Sequence, residues 1–219
     1  MKKTVTFYLI IFVSSFSFGQ TNERNFSKIS QTYYLYQDKD LVEKTIDFIN
    51  KSPIAYERLE MILTGFFGAL FTSNIDIKKS FVSKFEKIEK NEIKELLINL
   101  STSNIDTIYS KTKMSTKYND MNWASFLATG NKKFVDNVIS NIKHAEERID
   151  VNLFLVGATA KWSLCSNSKQ HKQVENYLRS LQSKNEKLKE ILEQEPQYFR
   201  DKITEIIKEQ RLKGLWNQK

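Results

Sequence analysis

Few side chains in this chain could do chemistry, and their spacing narrows what they could do. Two histidines, His144 and His171, and one cysteine, Cys165, are its whole supply of soft metal ligands. A zinc site needs several such ligands at set spacing, and His144-Ala145-Glu146-Glu147 lacks the second histidine of a helical metalloprotease. No metal is therefore expected. The sequence has no glycine-rich loop to cradle a phosphate and no Gly-x-Ser-x-Gly elbow to present a serine, so no cofactor and no named catalytic residue is expected either. Cys165 has no second cysteine to pair with and stands beside Trp162 and Leu164, where it reads as a small buried hydrophobe.

Carboxylate pairs are the remaining catalytic option. A two-carboxylate hydrolase holds one acid neutral in an apolar pocket and a second carboxylate about 5–9.5 Å away. Glu60, just before an apolar run, and the group Glu146, Glu147 and Asp150 are the candidates. Each also reads as a solvated helix residue, the second group lying next to Lys143 and Arg148. A cell-wall or small-substrate hydrolase is thus the alternative expectation, and a non-enzymatic binding protein the preferred one.

Charge sets further limits. There are 34 Lys and Arg against 26 Asp and Glu, and without Lys2 and Lys3 the balance is 32 against 26, a formal +6. The surplus is spread along the chain and reads as a solvated surface. Arg211, Lys213 and Trp216 could touch nucleic acid, but without a recognisable module such contact would be nonspecific, and nucleic acid is not an expected partner.

The elements that must position these residues are helical. Two prolines and six glycines leave few breakers, and apolar residues recur every three to four positions. The expected fold is all-α, either stacked helical hairpins in a short α-solenoid-like array or an irregular helical bundle. Lys2-Lys3, the apolar run Val5 to Val13 and the small residues Ser17 and Gly19 ahead of Gln20 have the order of a signal peptide. Residues 1–19 are expected to be removed, which predicts a periplasmic or secreted protein. Residues 20–37 read as a polar N-terminal arm, a tether or loosely docked, and 38–219 as one helical domain.

Within that domain Met61 to Phe71 is the most apolar segment. It is too short to span a bilayer, and Gly65 and Gly68 would let a neighbouring helix approach. No transmembrane segment is expected in the mature chain. Ser101 to Asp120 reads as a short helix plus a long exposed loop. The charged tail, Ser183 to Gln210, reads as two helices broken at Pro196.

Three segments share a plan: an apolar helix ending in Leu, a hydroxyl residue, a small or turn-forming residue, then a second amphipathic helix. They are Leu70-Phe71-Thr72-Ser73-Asn74, Leu127-Ala128-Thr129-Gly130-Asn131 and Leu164-Cys165-Ser166-Asn167. Hairpins of this kind bury their apolar faces by stacking, which would align their turns along one rim. That rim predicts a binding surface for a protein or envelope component around Asn122, Asn131, Asn167 and His171.

Trp123-Ala124-Ser125-Phe126-Leu127-Ala128-Thr129-Gly130, and Ala160-Lys161-Trp162-Ser163-Leu164-Cys165-Ser166-Asn167 with His171 and Val174, resemble an uncharacterised family of exported all-helical bacterial proteins. The resemblance covers roughly Met121 to Leu178. It implies a helical fold and export and brings no activity. Cys165 departs from it, standing where a small residue such as Ala is expected.

Overall fold

The apolar run at Met61–Phe71 becomes the middle of a long buried helix, and the rest of the molecule is arranged around it. The computed structural model describes residues 25–216; the expected signal peptide, residues 1–19, lies outside them. In chain order the helices are α1 (Phe26–Tyr36), α2 (Leu41–Lys51), α3 (Tyr56–Ser73), α4 (Ile75–Val82), α5 (Asn91–Thr102), α6 (Ile105–Lys111), α7 (Thr116–Thr129), α8 (Lys133–Asn141), α9 (Val151–Gln170), α10 (Lys172–Leu181), α11 (Glu186–Glu193) and α12 (Pro196–Leu212). Among the described residues there is no strand, so the all-α expectation holds. No helix among them is long and apolar enough to cross a membrane.

Local sequence explains where helices start. Asn25, Asn74, Asn104, Ser115, Asp150 and Asn185 each accept a hydrogen bond from a first-turn backbone amide. A cap of this kind contributes about 1 kcal/mol. Pro196 opens α12, where its missing N–H costs nothing.

The first arms of the three expected hairpins, α3, α7 and α9, lie in a row with α7 in the middle. On one side α3 buries Leu63, Phe66, Phe67 and Leu70 against Phe26 and Phe81. The ring of Phe67 lies 4.9 Å from that of Phe81 and 5.1 Å from that of Phe66, both edge-on. On the other side α7, α8 and α9 enclose Phe126, Phe134, Val138, Leu164 and Cys165. Burying side chains of this size stabilises the fold by about 1.5–3 kcal/mol each. A Cβ on Gly65 would overlap the backbone carbonyl of Met121, so glycine there sets the close approach of α3 to α7. The close contact expected of Gly65 is thus present.

Three expectations need correction. The polar arm at 20–37 is, from Phe26 on, a docked helix: Phe26, Ile29 and Tyr33 of α1 are buried, and α1 packs on α7. Its apolar residues recur at three- and four-residue intervals, but the polar residues between them hide the pattern. The loop expected up to Asp120 is short, since Ser115 caps α7 from Thr116 onward. The third hairpin turn is displaced: α9 runs through Asn167 to Gln170 and breaks at His171. In the first two turns the capping group is Asn74 or Asn131, whereas Thr72 and Thr129 bond back to Gly68 and Ser125 of their own helices, the usual alternative for a helical hydroxyl.

Candidate functional site

The four residues expected to line a rim part company. Asn122 is fully buried in the middle of α7. Its Nδ2 donates to the Tyr118 carbonyl at 2.8 Å, and its Oδ1 accepts from Asn137 Nδ2 at 2.8 Å, so it ties α7 to α8 and is no surface residue. Asn131 is exposed in the α7–α8 turn, where Oδ1 accepts from the Lys133 amide. Only Asn167 and His171 come together, on a cleft walled by α1, α3, α7 and α9.

Helical spacing builds this cleft. On α7, Asp120, Trp123, Ala124 and Leu127 fall at three- and four-residue intervals, and on α9 so do Ser163, Ser166, Asn167 and Gln170, with Trp162 alongside. Ile62 and Phe66 of α3 form the apolar floor, and Ser30 and Gln31 of α1 close the fourth side. The cleft is partly open, and its free volume is about 130 Å³. A cavity near 150 Å³ admits a benzene-sized ligand, so a small group fits.

His171 is buried at 8 % exposure where α9 gives way to α10, and its side chain makes no cap bond. Its Nδ1 lies 3.1 Å from the Tyr34 hydroxyl of α1. Burial holds its pKa below the ordinary imidazole value, so the ring is neutral at neutral pH. His171 is thus a buried tie between α1 and the end of α9.

Asp120 is the one charged side chain lining the cleft. Part of its surface is exposed, while the protein packed around the carboxyl desolvates it and pushes its pKa up to about 7. Lys117, one turn earlier, pulls the other way, yet its Nζ donates to the Glu57 carbonyl at 3.2 Å. The indole nitrogens of two lining residues, Trp123 and Trp162, are buried without a hydrogen-bond partner. The Arg200 guanidinium of α12 lies 5.1 Å from the Trp162 ring centroid. Gln170 donates to Ser166 Oγ at 2.9 Å and Asn167 to the Ser163 carbonyl at 2.9 Å, which fixes both amides against α9.

Sequence reasoning missed Asp120, Gln31, Tyr34 and Gln170. The available signal was polar residues sharing a helical face with tryptophan, at 120–127 and at 163–170. It went unread because those faces look like ordinary solvated sides until α1 covers them.

The other candidates have structural roles. Glu147 accepts hydrogen bonds from the amides of Arg148, Ile149 and Asp150, Asp150 caps α9, and Glu146 lies within 4 Å of Arg148, Lys161 and Lys187. Glu60 lies one turn from Tyr56 on α3, whose pKa burial raises first and the Glu60 charge next. Cys165 is fully buried with its thiol 3.2 Å from the Gln194 carbonyl, and burial raises its pKa to about 11, as its packing reading requires. Trp216 donates to the Ile149 carbonyl at 3.1 Å and lies 5.0 Å from Phe154, which anchors the end of the described chain. Among the described residues no group of three or more His, Cys, Asp or Glu could hold a metal. No family model, curated protein or solved structure matches this chain.

Proposed function

We propose that this is an exported, non-enzymatic binding protein whose ligand is a small molecule, or the small end of an envelope component, seated in the α1–α3–α7–α9 cleft. One observation carries this reading. The Trp123 and Trp162–His171 stretches, distant in sequence, converge on a single concave site that combines aromatic walls with one carboxylate and several amide and hydroxyl side chains. Concave, largely apolar sites with a few convergent polar groups are the usual form of ligand pockets. Export rests on the order of residues 1–19 and on the family resemblance. The rim expected for a protein partner loses Asn122 to the interior, so the binding surface narrows to Asn167, His171 and their cleft neighbours.

A fragment screen by thermal shift tests the proposal. Fragments that stabilise the protein should lose their effect in Leu127→Trp, which fills the cleft; circular dichroism would verify that the variant folds. If the fragments stabilise this variant as well as the parent, the cleft is not the site.

The second reading, a hydrolase, is favoured by one feature: a carboxyl with a raised pKa shares the cleft with a neutral imidazole. Asp120 would then donate a proton and His171 accept one. Turnover of a small ester or amide, abolished in both Asp120→Asn and His171→Gln, would establish it.

A further inference from the structure

The cleft has a definite electrostatic character, and this deepens the cleft-binding reading on which it rests. We infer that the group taken up is an organic ammonium, its charge against the Asp120 carboxylate and its carbon against the rings of Trp123 and Trp162. The walls supply one formal charge, and it is negative. The nearest basic side chain on the same helix, Lys117, is bonded to the Glu57 carbonyl of α3. From α1 and α3 come Ser30, Gln31, Ile62 and Phe66, none of them charged. From the end of α9 comes His171, held neutral by burial and engaged with Tyr34. Arg200 lies over the ring of Trp162 and is not a cleft-lining residue.

A lone carboxylate in such surroundings is costly to ionise. A ligand cation would relieve that cost, and tryptophan is the best aromatic partner for an ammonium. An anionic ligand would meet Asp120 as a like charge. A neutral polyol would use the amides and hydroxyls but leave the carboxylate uncompensated. A titratable group perturbed by desolvation in a cleft is a candidate for a functional role.

The test is calorimetric titration of the purified protein with benzylammonium and with benzyl alcohol, similar in size, the first remaining charged from pH 5 to pH 8. Benzylammonium should bind at pH 8 at least tenfold tighter than benzyl alcohol. Its affinity should fall at least tenfold at pH 5, as Asp120 takes up a proton. Asp120→Asn should lose at least tenfold in benzylammonium affinity at pH 8, so that benzylammonium no longer binds tighter than benzyl alcohol. Equal binding of the two probes, or full cation affinity in Asp120→Asn, overturns the ammonium assignment. If benzyl alcohol still binds and Leu127→Trp blocks it, the cleft remains a site for uncharged ligands. If neither probe binds, both the assignment and the cleft reading fall.

Discussion

Two faces of α7 handle polar side chains in opposite ways. On the face turned to α8 and α9, Asn119 donates to the Val156 carbonyl and to Thr159 Oγ1 and accepts from Asn141, while Asn122 joins Tyr118 to Asn137. Toward α3, Ser125 donates to the Gly65 carbonyl and pairs with Tyr109. On the face turned to the cleft, Asp120 has only the distant pull of Lys117, and the Trp123 indole nitrogen has no partner. Asn119 and Asp120 are adjacent, as are Asn122 and Trp123, so about 100° of helical rotation separates a polar group used to hold the fold from one left for something else. Satisfied buried polar groups specify packing, whereas unsatisfied ones cost stability and call for an explanation.

Substitutions should separate the two faces. The largest effect is expected at the base of the satisfied side: Gly65→Val drives a side chain into the Met121 backbone, and should lower stability by about 3 kcal/mol, seen as a melting temperature roughly 10 °C lower. Asn119→Ala leaves the Asn141 amide without its acceptor and removes one of the donors to the Val156 carbonyl, which keeps Thr159 Oγ1. The expected loss in urea unfolding is about 2 kcal/mol, and a loss below a few tenths would mean that water replaces the network.

At the cleft's edge, Tyr34→Phe removes the hydroxyl that meets His171 and should cost about 1 kcal/mol at neutral pH. The folded-state pKa of His171 is depressed. Its contribution is therefore complete above the unfolded value of about 6.5 and is lost as pH falls below it. Melting temperature should drop over that acidic range, and His171→Gln should flatten the drop.

The smallest effect has the opposite sign. The pKa of Asp120 is raised to about 7, so the stability linked to its proton is complete below about pH 4 and lost as pH rises through 7. Asp120→Asn removes that loss. It should melt about 2 °C higher than the parent at pH 8, with no gain at pH 4. A destabilised Asp120→Asn at pH 8 would erase the contrast between the faces.

Much of the fold can be read from residue spacing. The strong periods of Val42, Ile46 and Ile49, of Ile93, Leu97 and Leu100, and of Val174 and Leu178 correspond to buried faces of α2, α5 and α10, because an amphipathic helix writes its environment into its period. The central helices α7 and α9 write almost none, since neighbours on several sides bury Asn119, Ser125, Thr159 and Ser163 along with the apolar residues. The third hairpin was misplaced for the same reason: Ser166 and Asn167 look like turn residues, yet they continue α9 with their side chains bonded to Gln170 and to the Ser163 carbonyl.

Local sequence by itself determined the helical class, the asparagine and serine caps and the break at Pro196, because each depends on residues within a turn or two of one another. Tertiary structure alone decided that α1 docks, that Asn122 is interior, and that Asp120, Trp123, Trp162 and His171 share one cleft. Those outcomes depend on which helices meet. Desolvation, which moves the Asp120 and His171 pKa values apart from their ordinary ranges, is contributed by residues far away in the chain.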